Sequence, residues 1–221
     1  MENNESYFNL KNNIIINSNE EVNSNELKMG NYVDLLPKTE LREIEQYFFT
    51  ENVISNIVEA LDYEDNIICL GTPAVANGFY QLKNKNVLCL DIDDRFSYLP
   101  GYRKFDILNP DVSLIDYPPN VLIIDPPFFK LNLVDLYNCV EVITKGNKKT
   151  KILFAFVQRE ERALLSIFKA YNLQLTKFKL EYKYVEENRW SNYVLYSNCE
   201  FNKIKFSKIN KSSNNTIKKI K

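Results

Sequence analysis

The stretch Asp125-Pro126-Pro127-Phe128 holds residue types able to grip and orient an amine. It follows four aliphatics, Val121-Leu122-Ile123-Ile124, a pattern that predicts a buried strand of an α/β sheet. The tetrad then falls just past the carboxyl end of that strand, where open α/β sheets bind ligands. Two consecutive prolines fix φ twice and delete two backbone donors, so the turn is stiff and its carbonyls are left as acceptors. The Asp125 carboxylate and the Pro126 carbonyl can receive N–H groups while Phe128 offers an aromatic face. The same residues would also make a plain Asp-Pro turn ending a strand above a core phenylalanine.

Other strand ends carry related chemistry. Gly71 after the first strand permits close backbone approach to a ligand. Asp91 after the second is placed to accept both hydroxyls of a ribose, as acidic residues do in dinucleotide folds. Asp106, after the third, can accept from an adenine amino group. Each aspartate alone is equally a turn or N-cap residue; their recurrence at successive strand ends carries the argument. Neither GxGxxG nor GxxxxGK[ST] occurs, which argues against a pyrophosphate or triphosphate. A nucleoside without phosphates is expected, which points to S-adenosyl-L-methionine.

The elements that must position these groups are legible in the hydrophobic pattern. A helical region spans Glu40 to Leu61, with Val53, Ile54, Ile57 and Val58 at helical spacing and Thr50 as N-cap. Strands are expected at Asn66–Leu70, Val87–Leu90, Lys104–Ile107, Val121–Ile124 and Lys151–Val157. Between and after them, helices are expected at Ala74–Leu82, Leu131–Thr144 and Glu160–Ala170. Period-two alternation over Leu173–Leu180 and the run Tyr193–Tyr196 supply two closing strands. The fold class is α/β: a Rossmann-like, seven-stranded, mostly parallel sheet with an antiparallel last strand and helices on both faces.

Composition bounds the rest. At 221 residues and 45% hydrophobic content the chain supports one core, so one domain is expected, over residues 37–202. Residues 1–36 carry six acids against two lysines, and 203–221 carry seven lysines and no acid. Both ends are rich in Asn and Ser, and are expected to be a disordered acidic leader and a disordered basic tail, the latter a candidate phosphate-binding arm. Histidine is absent, which removes Ser-His and Cys-His catalysis and histidine-based zinc sites. The four cysteines are scattered without a CxxC pair, and no metal is expected. No apolar span of membrane length appears, so a soluble, cytoplasmic protein is expected, with a nuclear or nucleolar one left open.

The tetrad resembles the [Asn/Asp]-Pro-Pro-[Tyr/Phe] signature of class I amino-methyltransferases. The chain is similar, from about Gln46 to Asn198, to the N6-adenine methyltransferase-like group, which includes a zinc-knuckle ribosomal-RNA adenine enzyme and an elongation factor 1A lysine enzyme. The matching pieces are Gln46-Tyr47-Phe48-Phe49, Cys69-Leu70-Gly71-Thr72-Pro73, Leu90-Asp91-Ile92-Asp93-Asp94-Arg95-Phe96 and the tetrad itself. The Leu-Gly-Thr-Pro piece, Asp-Ile-Asp-x-Arg-Phe and Ile152-Leu153-Phe154-Ala155-Phe156 look closer to the RNA-adenine branch. The missing zinc modules and short chain look more like the lysine enzyme. The resemblance implies cofactor contacts from Gly71 to the methionine part, Asp91 to ribose and Asp106 to adenine, with Thr72 also cofactor-binding and Phe48 and Phe49 closing the pocket. It assigns Arg95 to anchoring the helix after the second strand. It also implies in-line methyl transfer at Asp125, Pro126, Pro127 and Phe128, and substrate contacts from Phe129. Arg189 and Trp190, before the last strand, either stack a base or peptide or form a packed turn. The expected target is adenine N6 in RNA, ribosomal RNA included. A translation-factor lysine is the alternative, and a catalytically silent subunit that binds a partner the third.

Overall fold

The computed structural model of the chain describes residues 40–186 and 192–207. Seven strands form one sheet: β1 (Ile67–Leu70), β2 (Leu88–Asp91), β3 (Tyr102–Lys104), β4 (Val121–Ile124), β5 (Lys151–Val157), β6 (Gln174–Lys179) and β7 (Tyr193–Ser197). Their order is β3-β2-β1-β4-β5-β7-β6. Six strands run one way, and β7 opposes them, pairing antiparallel with both β5 and β6. The α-helices among the described residues are α1 (Glu51–Ala60), α2 (Pro73–Lys83), α3 (Leu133–Thr144) and α4 (Glu161–Ile167).

Every residue of β1, β2 and β4 is buried, because helices cover both faces of a parallel sheet. Alternation along the strands divides the core into two layers. Ile67, Cys69, Val121, Ile123 and Leu153 meet α1 and α2 through Val53, Ile57, Val75 and Phe79. Ile68, Leu70, Leu122, Ile124 and Phe154 meet α3 and α4 through Leu136, Val140, Ile143 and Leu164. All four cysteines are free, and Cys69, Cys89 and Cys139 are buried within these layers.

Local chemistry sets the helix ends. The Thr50 side chain accepts from the Val53 N–H at 3.4 Å and starts α1. Pro73 opens α2, where its missing N–H costs nothing. Asn132 accepts the Asp135 N–H at 2.9 Å and caps α3, whose end passes through Lys145 at φ 51°.

Three expectations shift. The helical region expected over residues 40–61 contains only a 3₁₀ turn, Arg42–Ile44, before α1. The segment between them is extended, because Phe48 and Thr50 pair with Glu181 and Lys183. The Lys183 N–H meets the Phe48 carbonyl at 2.7 Å, and the Thr50 N–H meets the Glu181 carbonyl at 2.9 Å. The third strand lies at Tyr102–Lys104, earlier than its expected Lys104–Ile107. Gly101 brings the chain hard against β2, where a Cβ would sit 1.9 Å from the Val87 carbonyl oxygen, and the Cys89 N–H bonds to the Gly101 carbonyl. Its half-exposed residues at a sheet edge gave no aliphatic run to find.

The third shift concerns the basic tail expected from Lys203. Residues 203–207 pack against β6: the Lys177 N–H bonds to the Lys205 carbonyl at 2.8 Å and the Ser207 N–H to the Leu175 carbonyl at 2.9 Å. Ile204 is fully buried. Backbone pairing outweighs local charge here, since an edge strand leaves donors to be satisfied. Ile204→Ala should therefore lower unfolding free energy by about 2–5 kcal/mol in a denaturant titration, where a disordered position would give no change.

Candidate active site

From β1 the chain moves outward through β2 and β3, then returns to β4 on the other side of β1. At this reversal the β1 and β4 ends stand side by side, with Leu70 opposite Ile124 and the Asp125 N–H 3.3 Å from the Leu70 carbonyl. An open cleft of about 220 Å³ lies there, along the carboxyl ends of the strands. It is lined by the four residues of the tetrad and by Gly71, Thr72, Asp91, Asp106, Phe48 and Phe49. Ten residues singled out in sequence are thus brought to one place.

Gly71 has φ +64°. Its close neighbour is the tetrad: a Cβ there would lie 2.8 Å from the Asp125 carbonyl oxygen. The bare Cα is needed first to let β1 and β4 end side by side. Asp125 lines the cleft and receives the Tyr182 hydroxyl at 3.2 Å on one carboxylate oxygen and 3.4 Å on the other. Burial pushes the Asp125 carboxyl well above its usual range, and this hydroxyl opposes the rise. Of the two proline carbonyls, that of Pro127 is turned into the loop, taking the Lys130 N–H at 3.4 Å. Phe128 is fixed by ring contacts to Phe156 at 5.3 Å and Tyr193 at 4.8 Å.

At the end of β2, Asp91 is 8% exposed and takes the Asp93 N–H at 2.8 Å. Burial raises its carboxyl to about 7; the Asp93 N–H opposes this and the Asp93 charge adds to it. Asp93 itself loses from burial, but the Arg95 guanidinium and Gln46 amide outweigh that and hold it below the usual carboxylate range. The Gln46 amide donates to Asp93 at 2.7 Å and takes an Arg95 N–H at 2.5 Å, while Asp93 caps the 3₁₀ turn Asp94–Phe96. Arg95 therefore secures the cleft wall. Asp106 lies two residues past β3, and its carboxylate is engaged in its own turn with the Leu108 N–H at 2.9 Å and Asn109 at 2.8 Å. Phe48 packs edge-on against Phe96 at 5.9 Å, and Phe49 lies 4.9 Å from Tyr182.

The raised Asp91 carboxyl has a consequence for stability. Its folded value exceeds its unfolded one, so its contribution is complete below about pH 4 and is lost as pH rises through about 7. Asp91→Asn removes that loss. The variant's melting temperature should overtake the wild type's across this window, by on the order of 5 °C at pH 8, and match it near pH 4.

Phe129 stands outside the cleft lining, 69% exposed, with the Arg159 guanidinium over its ring at 5.7 Å. Its N–H is held by the Glu45 carboxylate at 2.8 Å. Arg189 and Trp190 lie outside the described residues. Sequence reading missed Tyr182, Glu45 and Gln46. Gln46 was visible only as part of a family match, and no spacing signalled the other two, which meet the site across 57 and 84 residues of chain.

Charge distinguishes the cleft. Glu43, Glu45, Asp91, Asp106 and Asp125 line it, against Lys130 alone among the cations of the described residues. Such a wall disfavours phosphates and suits a neutral or cationic ligand. Among the described residues no cluster of His, Cys, Asp and Glu is arranged to hold a metal, and no helix is long and apolar enough to cross a membrane.

A family model described as "Probable N6-adenine methyltransferase" matches residues 40–201. No curated protein shows significant similarity to the chain. Solved structures do. One is a provisionally assigned RNA methyltransferase from Pyrococcus horikoshii, 16% identical, covering 79% of this chain and 97% of that one, with a TM-score of 0.48. Another is a provisionally assigned methyltransferase from Escherichia coli, 16% identical, covering 70% of this chain and 89% of that one, with a TM-score of 0.41.

Proposed function

The chain belongs to this N6-adenine methyltransferase family and is a methyltransferase, and from that premise we propose that it methylates the N6 amino group of adenine in RNA, with S-adenosyl-L-methionine as donor. The observation that carries the proposal is the Asp125–Phe128 corner lining the same cleft as Asp91. The cleft fits the donor by its chemistry: a carboxylate for the ribose diol, no phosphate-binding loop, and an acidic lining for a ligand bearing a sulfonium and an ammonium. When bound, S-adenosyl-L-methionine supplies an electrophilic methyl group on sulfur.

The chain's own residues then do the positioning. Asp91 binds the ribose, and Phe105, Ile107 and Leu108 line the adenosine end with Asp106. Asp125 and the Pro126 carbonyl accept the two N–H groups of the target amine, and Phe128 stacks on the flat base. These contacts draw the nitrogen towards tetrahedral geometry and aim its lone pair at the methyl carbon. Held there, the donor would supply its methyl to this lone pair, with the C–S bonding pair staying on sulfur, and the acidified N–H proton would pass to solvent. Holding the reacting atoms about 3–3.5 Å apart supplies most of the rate. An adenine must leave its stack to enter, so an unpaired or flipped base is the substrate. Phosphates stay outside the acidic cleft, near the exposed Phe129–Arg159 pair.

The acidic lining favours a second reading, a protein lysine, whose ammonium it would attract. A lysine must first lose a proton near pKa ~10.4, whereas the adenine amine is already neutral. Tritiated donor mixed with the protein and total cell extract separates the two. Label that nuclease releases, recovered as N6-methyladenosine, is the expected result; label that only protease releases would sink the RNA reading.

A further inference from the structure

The prolines fix the backbone of Asp125 but leave its side-chain torsions free. What holds the carboxylate comes from the far end of the sheet. Tyr182, just beyond β6, is 5% exposed and donates its hydroxyl to both Asp125 oxygens, at 3.2 and 3.4 Å. We infer that Tyr182 is a positioning residue for methyl transfer: it sets the orientation of the Asp125 carboxylate so that the remaining lone pairs face the target amine. This rests on the amine-methylation reading of the cleft.

Three features make Tyr182 a fixed support. Its backbone is clamped on both sides, through Thr50 with Glu181 and Phe48 with Lys183, and Tyr182 bridges Phe49. Its ring is wedged between Phe49 at 4.9 Å and Tyr193 at 5.4 Å. Tyr193 in turn touches Phe128 at 4.8 Å, so one aromatic row supports both the acceptor and the stacking plate of the corner. A carboxylate has about four acceptor sites, and one shared O–H leaves room for a target N–H. A hydrogen bond to the ionised form also favours it, opposing the cost of burial at Asp125. The other groups facing this region are Tyr47 and Glu45 from the segment before α1, Tyr193 on β7 and Arg159 after β5; Lys130 lines the same cleft.

The test uses the full chain labelled with carbon-13 at aspartate carboxyls, Asp125 being identified by the signal lost in Asp125→Asn. Tyr182→Phe keeps the ring and removes only the donor. The Asp125 midpoint should move to higher pH, and kcat should fall about tenfold and stay below wild type after the carboxylate has ionised, with donor Kd unchanged. In an Asp125→Asn background the same change should have a much smaller effect on kcat. Unchanged midpoint and kcat in a folded Tyr182→Phe variant would overturn the inference. A second measurement needs no substitution: one tyrosine carbon-13 ζ resonance of the wild-type chain should titrate with the Asp125 midpoint, and its failure to do so also overturns it. Should the wild type transfer no methyl to RNA, the substrate reading falls alone, since both titrations still decide the role of Tyr182.

Discussion

Asp125→Ala should slow methyl transfer roughly 100- to 1,000-fold while leaving donor affinity within about threefold. In the proposed reading the carboxylate meets the target amine and not the ribose end of the cleft, so its loss should fall on the chemical step. Asp125→Asn keeps a carbonyl acceptor at the same point and should lose only about tenfold. Stability moves the other way. Because burial raises the Asp125 carboxyl, the fold loses stability as pH climbs through the raised value, and the neutral amide escapes that loss. Asp125→Asn should thus melt higher than wild type at neutral and alkaline pH and equally near pH 4. Single-turnover transfer of tritiated methyl and thermal melts across pH check both. A full-rate Asp125→Ala variant would remove the corner from the chemistry.

Gly71→Ala should damage fold and activity together. A non-glycine residue at φ +64° costs about 1–2 kcal/mol, and the added Cβ would stand 2.8 Å from the Asp125 carbonyl oxygen. That oxygen belongs to a strand end locked by two prolines, so it cannot swing away as a flexible side chain would. The corner must shift as a unit, and a displacement near 1 Å is enough to cost about 100-fold in rate. We expect about 2–4 kcal/mol off the unfolding free energy and a rate loss of that size. Gly146→Ala is the control. Its φ is also positive, at +73°, but the nearest atom to its Cβ is a Glu141 side-chain oxygen at 3.9 Å. It should show the backbone cost alone, with methyl transfer unchanged.

What could be read from the residues themselves were features written in contiguous stretches. The aliphatic runs at β1, β2, β4 and β5 declare buried parallel strands, because a sheet covered on both faces leaves no solvent side to mark with polar residues. Thr50 announced the start of α1, and the turn residues after the first four strands announced groups that line the cleft. Matters that depend on which distant segments meet were settled only by folding. The extended run Phe48–Thr50 departs from its helical surroundings because Glu181 and Lys183 supply its backbone partners. Lys203–Ser207 reads as a charged tail until an edge strand's free donors and carbonyls bind it. Gly71 looked like a ligand-facing glycine, yet its nearest constraint is the backbone of Asp125. Tyr182 had no signal at all. A hydroxyl 57 residues from the carboxylate it holds is invisible to local spacing, because hydrogen bonds act over a few ångströms in space whatever the distance along the chain.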